Sequence, residues 1–338
     1  MAISDRIAPA FSLFPRLASV VPLRPSRLAN ALFVGATLLF GGSCLTNQVK
    51  AADAAPERRI CIAKADGTEL RLLSEELSEY DPQGSPDWSQ DGKLIALDAW
   101  RSGRGEGVSD ARIIVVEADG ENPRDLIDGA MPSFSPRAQR IAFSRYAPNR
   151  GVWVMNSAGP EKGLALIDES GWCAVWSPDG RKIAYIKSTG QGANLVIFNV
   201  IEGTRHPVFD EIPSPYSQIY WNFAWSPDSK QIVFNASKNG KKEVAIVDVR
   251  GARHGLTTRL RENLRTSFSW RPDGKRILFC NHHPERGSTQ LFLLDPKTEA
   301  PAELLLGQNP KWRHVDTSYS PDGTKIAVSI HLPKNARP

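Results

Sequence analysis

The sequence predicts an all-β protein, a six-bladed β-propeller with four-stranded blades. The first observation behind this prediction is a hairpin motif that occurs six times, typified by AVWSPDGRKIAY from Ala174. The second is its spacing, because the aromatic residue that anchors each copy recurs every 42–49 residues, close to the length of one propeller blade. The third is an unmatched strand pair at each end of the repeat array, which predicts that the N- and C-terminal strands pair to close the ring.

Each copy has the residues of a β-hairpin turn. In Ser-Pro-Asp-Gly the proline presets φ for a type I turn, the aspartate bonds to nearby backbone, and the glycine accepts a left-handed conformation. Arg137 and Ala138 in the second copy, and Ser229 in the fourth, replace the usual turn residues, so we expect those two turns to be less regular. The anchor aromatic residues of the six copies are Trp88, Phe134, Trp176, Trp225, Trp270 and Tyr319.

A weaker apolar repeat between the copies supplies the outer strands. VAIVDVRG from Val244 is typical of it, and its nearly continuous apolar run fits a strand that is covered on both faces. One such hairpin, from Ile60 to Leu73, precedes the first copy, whereas none follows the last copy, which ends near Ile330. We therefore expect five blades that are continuous in sequence and a sixth built from both termini.

The chain divides into a predicted leader at residues 1–54 and a single predicted propeller domain at residues 58–331. The apolar run Ala31–Leu45 follows basic residues and precedes small residues at Ala51–Ala55, which is the layout of a signal peptide. Its 15 residues fall short of the roughly 20 that span a bilayer as a helix. We expect an exported protein in the periplasm or another extracytoplasmic compartment. An uncleaved anchor, as the only membrane contact, and lipid attachment at Cys44 are the alternatives.

Charge and cysteine content argue against a nucleic-acid partner and against a CxxC-type metal or redox site. The net charge is +5, but residues 1–51 account for four of these charges, so the remainder is too nearly neutral to predict a nucleic-acid partner. Three cysteines follow the leader, Cys61, Cys173 and Cys280, each within an apolar run and none in a CxxC pair. We interpret them as small buried side chains.

The hairpin W-S-P-D-G-x-x-I-A-F, followed by an apolar strand ending in V-x-D-x-x-G, resembles the WD-repeat-like propeller repeat of the TolB family. The resemblance covers residues 58–331 and implies a six-bladed propeller in the cell envelope, since TolB belongs to the periplasmic Tol-Pal system. TolB also carries an α/β domain before its propeller, where this chain has only the predicted leader. The same repeat occurs in propellers of prolyl-oligopeptidase-like peptidases and of oligogalacturonate lyases, so the fold alone does not choose a function.

One face of the propeller is the candidate binding surface. All Ser-Pro-Asp-Gly turns fall on one face, which leaves the longer and more varied connections on the opposite, loop face, where binding sites concentrate. Aromatic side chains could anchor a partner there or simply fill the space between blades. The candidate binding residues are Trp100, Tyr146, Trp172, Tyr220, Trp221 and Trp312.

Histidines on the same face support an alternative function. Oligogalacturonate lyases are propellers with a histidine-ligated metal, and this likeness implies a divalent metal held by loops of the last two blades. No HExxH or other ligand spacing accompanies these histidines. The candidate ligands are His282, His283, His314 and His331.

The sequence as a whole favours a noncatalytic binding module that engages a protein or peptide of the cell envelope and acts as a monomer. It contains no G-x-S-x-G nucleophile motif, so a complete prolyl-oligopeptidase-type enzyme is excluded. We predict no cofactor, and a divalent metal only under the polysaccharide-lyase alternative. A propeller that binds a glycan without chemistry is the third interpretation.

Overall fold

The computed structural model of the protein describes residues 56–101, 110–161, 163–210, 213–249, 256–260, 267–298, 301–333, 336 and 338, with the backbone alone at 256–260. The predicted leader, Cys44 within it, and part of the loop after Trp100 lie outside the described residues. The regular elements that are described are all β-strands. A helix long and apolar enough to span a membrane is not found among these residues.

The strands form a ring of six blades. The chain begins with β1 (Glu57–Lys64) and β2 (Arg71–Leu72). Blades 1 and 2 are β3 (Tyr80–Trp88), β4 (Leu94–Arg101), β5 (Arg112–Glu117) and β6 (Arg124–Asp128), then β7 (Ala130–Phe134), β8 (Arg140–Arg145), β9 (Gly151–Asn156) and β10 (Ala165–Asp168). Blade 3 is β11 (Gly171–Trp176), β12 (Lys182–Thr189), β13 (Gly192–Asn199) and β14 (Arg205–Pro207).

The remaining blades follow the same order. In blade 4 the innermost strand is divided into two short pieces that both pair with the next strand. Blade 4 is β15 (Gln218–Ile219), β16 (Ala224–Trp225), β17 (Gln231–Lys238), β18 (Lys241–Asp248) and β19 (Leu256–Leu260). Blades 5 and 6 add β20 (Phe268–Trp270), β21 (Ile277–His283), β22 (Ser288–Leu294) and β23 (Glu303–Leu304), then β24 (Arg313–Tyr319) and β25 (Lys325–Leu332), which join β1 and β2.

Pairing of the two terminal strands closes the ring, as the sequence predicted. β1 pairs antiparallel with β25 through eight residue pairs, from Glu57 opposite Leu332 to Lys64 opposite Lys325. β2 and β24 complete this sheet on either side, so blade 6 takes two strands from each end of the chain. Because β1 and β25 pair with each other, neither is left as an open sheet edge at the closure of the ring.

The core consists of six clusters of buried apolar side chains in the described part of the chain, one between each pair of adjacent blades. Alternating residues of β1 show how the closing strand contributes to two of them. Ile60 and Ile62 pack in the cluster that includes Leu97 of blade 1. Cys61 packs on the other side, with Cys280 of blade 5. A strand buried on both faces in this way holds the seam by burial of apolar surface as well as by backbone hydrogen bonds.

The expected irregularity of the fourth turn is wrong. Gly92, Gly180, Gly274 and Gly323 take φ of 66–71° in their turns, and Ser229 takes nearly the same value, 58°. The Ser229 hydroxyl compensates for this strained backbone, because it accepts a hydrogen bond from the Asp179 backbone N–H of blade 3 at 2.9 Å. The second turn is irregular as expected, with no residue of positive φ between Ser135 and Arg140.

The three cysteines after the leader are confirmed as buried side chains without disulfide bonds. Cys61, Cys173 and Cys280 are all free thiols with at most 2% exposure. Burial raises the pKa of the Cys61 and Cys173 thiols to about 12, which keeps them protonated.

Candidate functional site

The direction of the strands determines which connections lie on each face of the ring. Each innermost strand runs from the loop face, which carries the connections within and between blades, to the turn face, which carries the Ser-Pro-Asp-Gly turns and their variants. Residue Tyr80 at the start of β3 therefore lies toward the loop face, and the turn Ser89–Gly92 lies on the turn face. The same direction holds in every blade because each is antiparallel and begins at the ring centre.

A recurring bulge shapes the innermost strands three residues before the anchor aromatic residue. Ser85, Met131, Cys173 and Asn222 all adopt positive φ there, between 47° and 73°. The bulge amides donate hydrogen bonds to the preceding blade around the ring. The Met131 N–H bonds to Asp98 Oδ2 at 2.9 Å, and the Cys173 N–H bonds to the Ser144 hydroxyl at 2.8 Å. These bonds fix the loop-face end of the channel.

Two buried carboxylates and an arginine converge at this end of the channel. A Cβ added to Gly84 would lie 2.9 Å from Asp98 Oδ1 and 3.3 Å from both Arg58 Nη2 and Asp316 Oδ2. Asp316 Oδ1 accepts a hydrogen bond from Asn222 Nδ2 at 3.0 Å, which links blade 6 to blade 4. Burial raises the pKa of Asp98 to about 6 and also raises the pKa of Asp316, while Arg58 opposes both changes.

Four of the six predicted aromatic residues lie on blades 2–4. The rings of Tyr146 and Trp172 are 4.5 Å apart, with an interplanar angle of 53°. Tyr220 lies under the Lys242 ammonium group at 5.2 Å, and its neighbour Trp221 is 55% exposed. Burial and the Asp98 charge raise the pKa of Tyr146 to about 12, so this ring stays neutral.

The other two predicted aromatic residues lie elsewhere on the ring. The Trp100 ring lies 5.8 Å from the Arg58 guanidinium. Trp312 packs, partly buried, against the cluster between blades 5 and 6. Trp100 and Trp312 therefore have neighbours that differ from those of the other four aromatic residues.

The four predicted histidines have separate surroundings. His314 is buried, its Nδ1 lies 3.3 Å from the Thr289 carbonyl oxygen, and burial lowers its pKa to about 4. His331 is paired in the sheet with Arg58 and Arg313, and burial together with these two charges lowers its pKa. His282 is exposed, and the ring of His283 stacks at 6.1 Å on Phe292.

These histidines form no metal site in the described part of the chain, where no three His, Cys, Asp or Glu side chains are arranged to hold a metal ion. The lyase alternative requires three of them to converge on one point. A neutral, buried His314 that faces a backbone carbonyl instead has the surroundings of a structural residue.

A cavity of about 260 Å³ occupies the ring centre and was not predicted from the sequence. It extends from the bulge residues Ser85 and Asn222 to turn-face residues that include Gln90 and Pro321. Its lining contains Asp87, which occupies the position just before the first anchor aromatic residue. Comparison of the six copies could have identified Asp87, because it is the one charged residue at this position. The other copies have Ser133, Val175, Ala224, Ser269 and Ser318 there.

Comparison with known proteins gives the family of this propeller. The family model described as the TolB beta propeller domain matches residues 168–336, half of the chain. This chain belongs to the TolB-like β-propeller family. TolB of Alcanivorax borkumensis, a Tol-Pal system protein, is 32% identical over 129 residues, which are 37% of this chain and 29% of that protein.

Solved structures support the fold of this TolB-like protein. A putative TolB from Agrobacterium tumefaciens superimposes with a TM-score of 0.62 and 18% identity, over 83% of this chain and all of that one. An oligogalacturonate lyase in complex with manganese has a TM-score of 0.50 and 14% identity, over 70% and 69% of the two chains, a likeness of fold alone. The TolB-like chain spans 26–29% of the length of the curated TolB proteins and the Bacillus subtilis peptidase that it matches.

Proposed function

We propose that this TolB-like protein is an exported, noncatalytic binding propeller that engages a protein or peptide of the cell envelope at its loop face. The observation that carries this proposal is Trp221, whose large apolar side chain is 55% exposed on a segment with a fixed backbone. Tryptophan is enriched among the residues that dominate the energy of protein interfaces. An exposed tryptophan on an ordered backbone can therefore serve as an anchor that a partner covers.

Hydrogen bonds on both sides hold the Trp221 backbone in place. The Tyr220 N–H donates to the Asn235 carbonyl at 2.8 Å. On the other side, the Asn222 N–H donates to Cys173 Sγ at 3.4 Å, and Asn222 also donates its side-chain bond to Asp316. Because this segment is already ordered, a partner that covers Trp221 does not have to supply the free energy of ordering it.

The surroundings of Trp221 suit a peptide with an apolar or aromatic residue beside an acidic one. Tyr220 with Lys242, and the pair Tyr146 and Trp172, offer aromatic surface next to a positive charge on the same three blades. The relatives named as Tol-Pal system proteins support an envelope protein as the partner. A cleaved signal peptide within residues 1–54 would deliver a propeller domain of residues 58–331 to that compartment.

A capture experiment with one matched control tests the proposal. Exported wild-type protein, Trp221→Ala and Ile201→Ala are each immobilised and exposed to envelope extract, and captured proteins are identified by mass spectrometry. Ile201 is the control because it is 77% exposed and lies in the turn after β13, on the turn face. We expect Trp221→Ala to weaken binding of the captured partner at least about tenfold by calorimetry, and Ile201→Ala to leave it within about twofold.

Two outcomes would contradict the proposal. Equal binding of the partner to both variants would remove the loop face from the interaction. Binding of glycans by the wild type, with no protein captured, would favour the carbohydrate interpretation instead. N-terminal sequencing of the exported protein tests the leader separately, with cleavage expected after Ala51 or Ala54.

A further inference from the structure

The central cavity contains a negative charge for which the fold has no structural need. Asp87 is the only charged side chain among the described residues that line it. The carboxylate Oδ2 accepts a hydrogen bond from the Phe134 backbone N–H at 2.6 Å, which links blade 1 to blade 2. This contact is independent of the loop-face surface proposed above, since Asp87 lies between the bulges and the turn face.

Equivalent positions in other blades form the same link without a charge. The Ser133 hydroxyl accepts a hydrogen bond from the Trp176 N–H at 3.1 Å, and the Ser269 hydroxyl accepts one from the Tyr319 N–H at 2.8 Å. A serine therefore suffices to join adjacent blades at this level of the ring. The carboxylate of Asp87 adds a charge at a partly buried position on the cavity wall, where removal from bulk water is unfavourable unless a counter-ion is supplied.

The protein supplies no such counter-ion from its described residues. Asp87 forms no ion pair with a described lysine, arginine or histidine, and burial raises its pKa to about 7, opposed only by backbone hydrogen bonds from Phe134 and Trp88. Asp98 and Asp316 lie toward the loop face, beyond the bulges, and neither lines the cavity. The thiol of Cys173 and the phenol of Tyr319 do line it, but each has a pKa raised to about 12 and stays neutral.

Two residues that line the cavity also carry a buried polar atom without a hydrogen-bond partner among the described residues. Trp176 Nε1 and Thr317 Oγ1 are buried atoms without a hydrogen-bond partner, on residues that are 6% and 3% exposed. Both residues line the cavity, as do the aromatic anchors of all six blades. A carboxylate surrounded by aromatic rings is the arrangement that binds organic cations, through charge pairing and attraction to the ring faces.

We propose that the central cavity binds an alkylammonium group, with the charge on the Asp87 carboxylate and the alkyl carbons against the aromatic anchors. Its volume of about 260 Å³ accommodates a small group rather than a folded segment. The group enters from the turn face, where Gln90 and Pro321 border the cavity. It belongs either to a free small amine or to a lysine side chain of a second protein, and the chemistry at Asp87 is the same for both.

A fluorescence titration of the full chain tests this site directly, because Trp88, Trp176, Trp225 and Trp270 line the cavity. n-Butylamine is the probe, with 1-butanol as its uncharged analogue, in phosphate buffer at pH 8.5. We expect saturable binding of butylammonium and none of butanol. N-Acetyl-lysine methylamide in a parallel titration distinguishes the two sources, since it binds as tightly as butylammonium only if the cavity admits a peptide-linked side chain.

The decisive variant is Asp87→Ser, which places at this position the residue that joins the blades at Ser133 and Ser269. It should fold and should bind butylammonium at least about tenfold more weakly, since the charged hydrogen bond is lost. Asp87→Asn, with the same shape, is the second variant. Asp322→Asn is the matched control, because it removes an exposed carboxylate from the turn face without touching the cavity, and it should bind like the wild type.

The pH dependence provides a second readout. Butylammonium remains protonated between pH 6 and pH 8.5, whereas the Asp87 carboxyl loses its proton over this range, so binding should strengthen about tenfold. Absence of butylammonium binding to the wild type overturns the proposal, as does equal affinity for Asp87→Ser. Calcium chloride is titrated in the same way as a further comparison. A fluorescence change that requires Asp87 but appears with calcium chloride and not with butylammonium would show that the site binds a metal ion instead of an alkylammonium group.

Discussion

Replacing Asp87 should change how the stability of the protein depends on pH. The folded state raises the pKa of this carboxyl from the ordinary value of 3.8 to about 7, so the folded protein holds the proton more tightly than the unfolded chain does. Stability therefore falls as the pH rises from about 3.8 to about 7, because ionisation favours the unfolded state in this window. Above it, the ionised carboxylate lowers the free energy of unfolding by about 4 kcal/mol.

The measurable quantity is a difference between two pH values. Of the unfavourable contribution, about 1.5 kcal/mol is already present at pH 5 and the full amount at pH 8.5. The free energy of unfolding of Asp87→Ser, relative to wild type, should therefore rise by about 2.5 kcal/mol between these two conditions. Differences in packing between Asp and Ser do not depend on pH, so they cancel in this comparison.

Urea unfolding in buffers without amines is the assay, since an amine that occupies the cavity would stabilise the wild type and hide the effect. Asp322→Asn is again the control. Hydrogen bonds from Ser320 and Thr324 lower the pKa of Asp322, so its stabilising contribution is nearly complete by about pH 5, and its removal should give a difference that is flat from pH 5 to pH 8.5. Parallel curves for wild type and Asp87→Ser would refute the reasoning, because they would mean that Asp87 ionises as easily in the folded protein as in the unfolded chain.

Two further predictions concern the ring itself. Ile60→Ala should lower the free energy of unfolding by about 2–5 kcal/mol, because it leaves a cavity at the seam between blades 6 and 1. The exposed Ile201→Ala should change it by less than about 0.5 kcal/mol. Equal effects of the two variants in urea unfolding would mean that packing of the closing strand does not contribute to stability. In urea unfolding, Ser229→Ala should be less stable than Ser229→Gly by about 1–2 kcal/mol. Both variants lose the hydrogen bond to Asp179, but only alanine is strained at φ 58°. A more stable alanine variant would contradict this account of the turn.

Most of the fold could be predicted because each blade repeats the same local sequence pattern of turn residues and an anchor aromatic residue. The turn residues, the spacing of the anchors and the unmatched terminal hairpins together determine the number of blades and the strands that close the ring. The segment that begins at Ile60 pairs with the last strand, as expected from these features. The conformation of Ser229 could not be predicted, because its compensating hydrogen bond comes from Asp179 in another blade. Local turn preferences contain no information about such a contact.

The surroundings of the candidate residues could not be predicted from the sequence. Sequence direction alone places Trp221 and Tyr146 on the loop face. The neighbour of Trp100 is Arg58, which comes from the N-terminal strand and lies beside Trp100 only after the ring closes, so the sequence alone does not reveal this contact. His314 likewise faces the Thr289 carbonyl of the neighbouring blade, a contact between blades that the spacing of histidines along the chain does not reveal.

The hydrogen bonds between blades provide a general test for function in this ring. At the position before the anchor, the side chain accepts a hydrogen bond from a backbone N–H of the next blade. Ser133 and Ser269 show that an uncharged hydroxyl is sufficient for this bond. At the bulge, Ser144 and Asp98 have the same task, and the Asp98 carboxylate again adds a charge. That charge lies beside Asp316 and also beside the cation Arg58, at the loop-face end of the channel. Asp87 also goes beyond this requirement, and the part of the chain that the structure describes places no cation beside it. The same replacement by serine should therefore raise stability more at position 87 than at position 98, because Arg58 lies beside Asp98, together with Asp316, whereas no cation among the described residues lies beside Asp87.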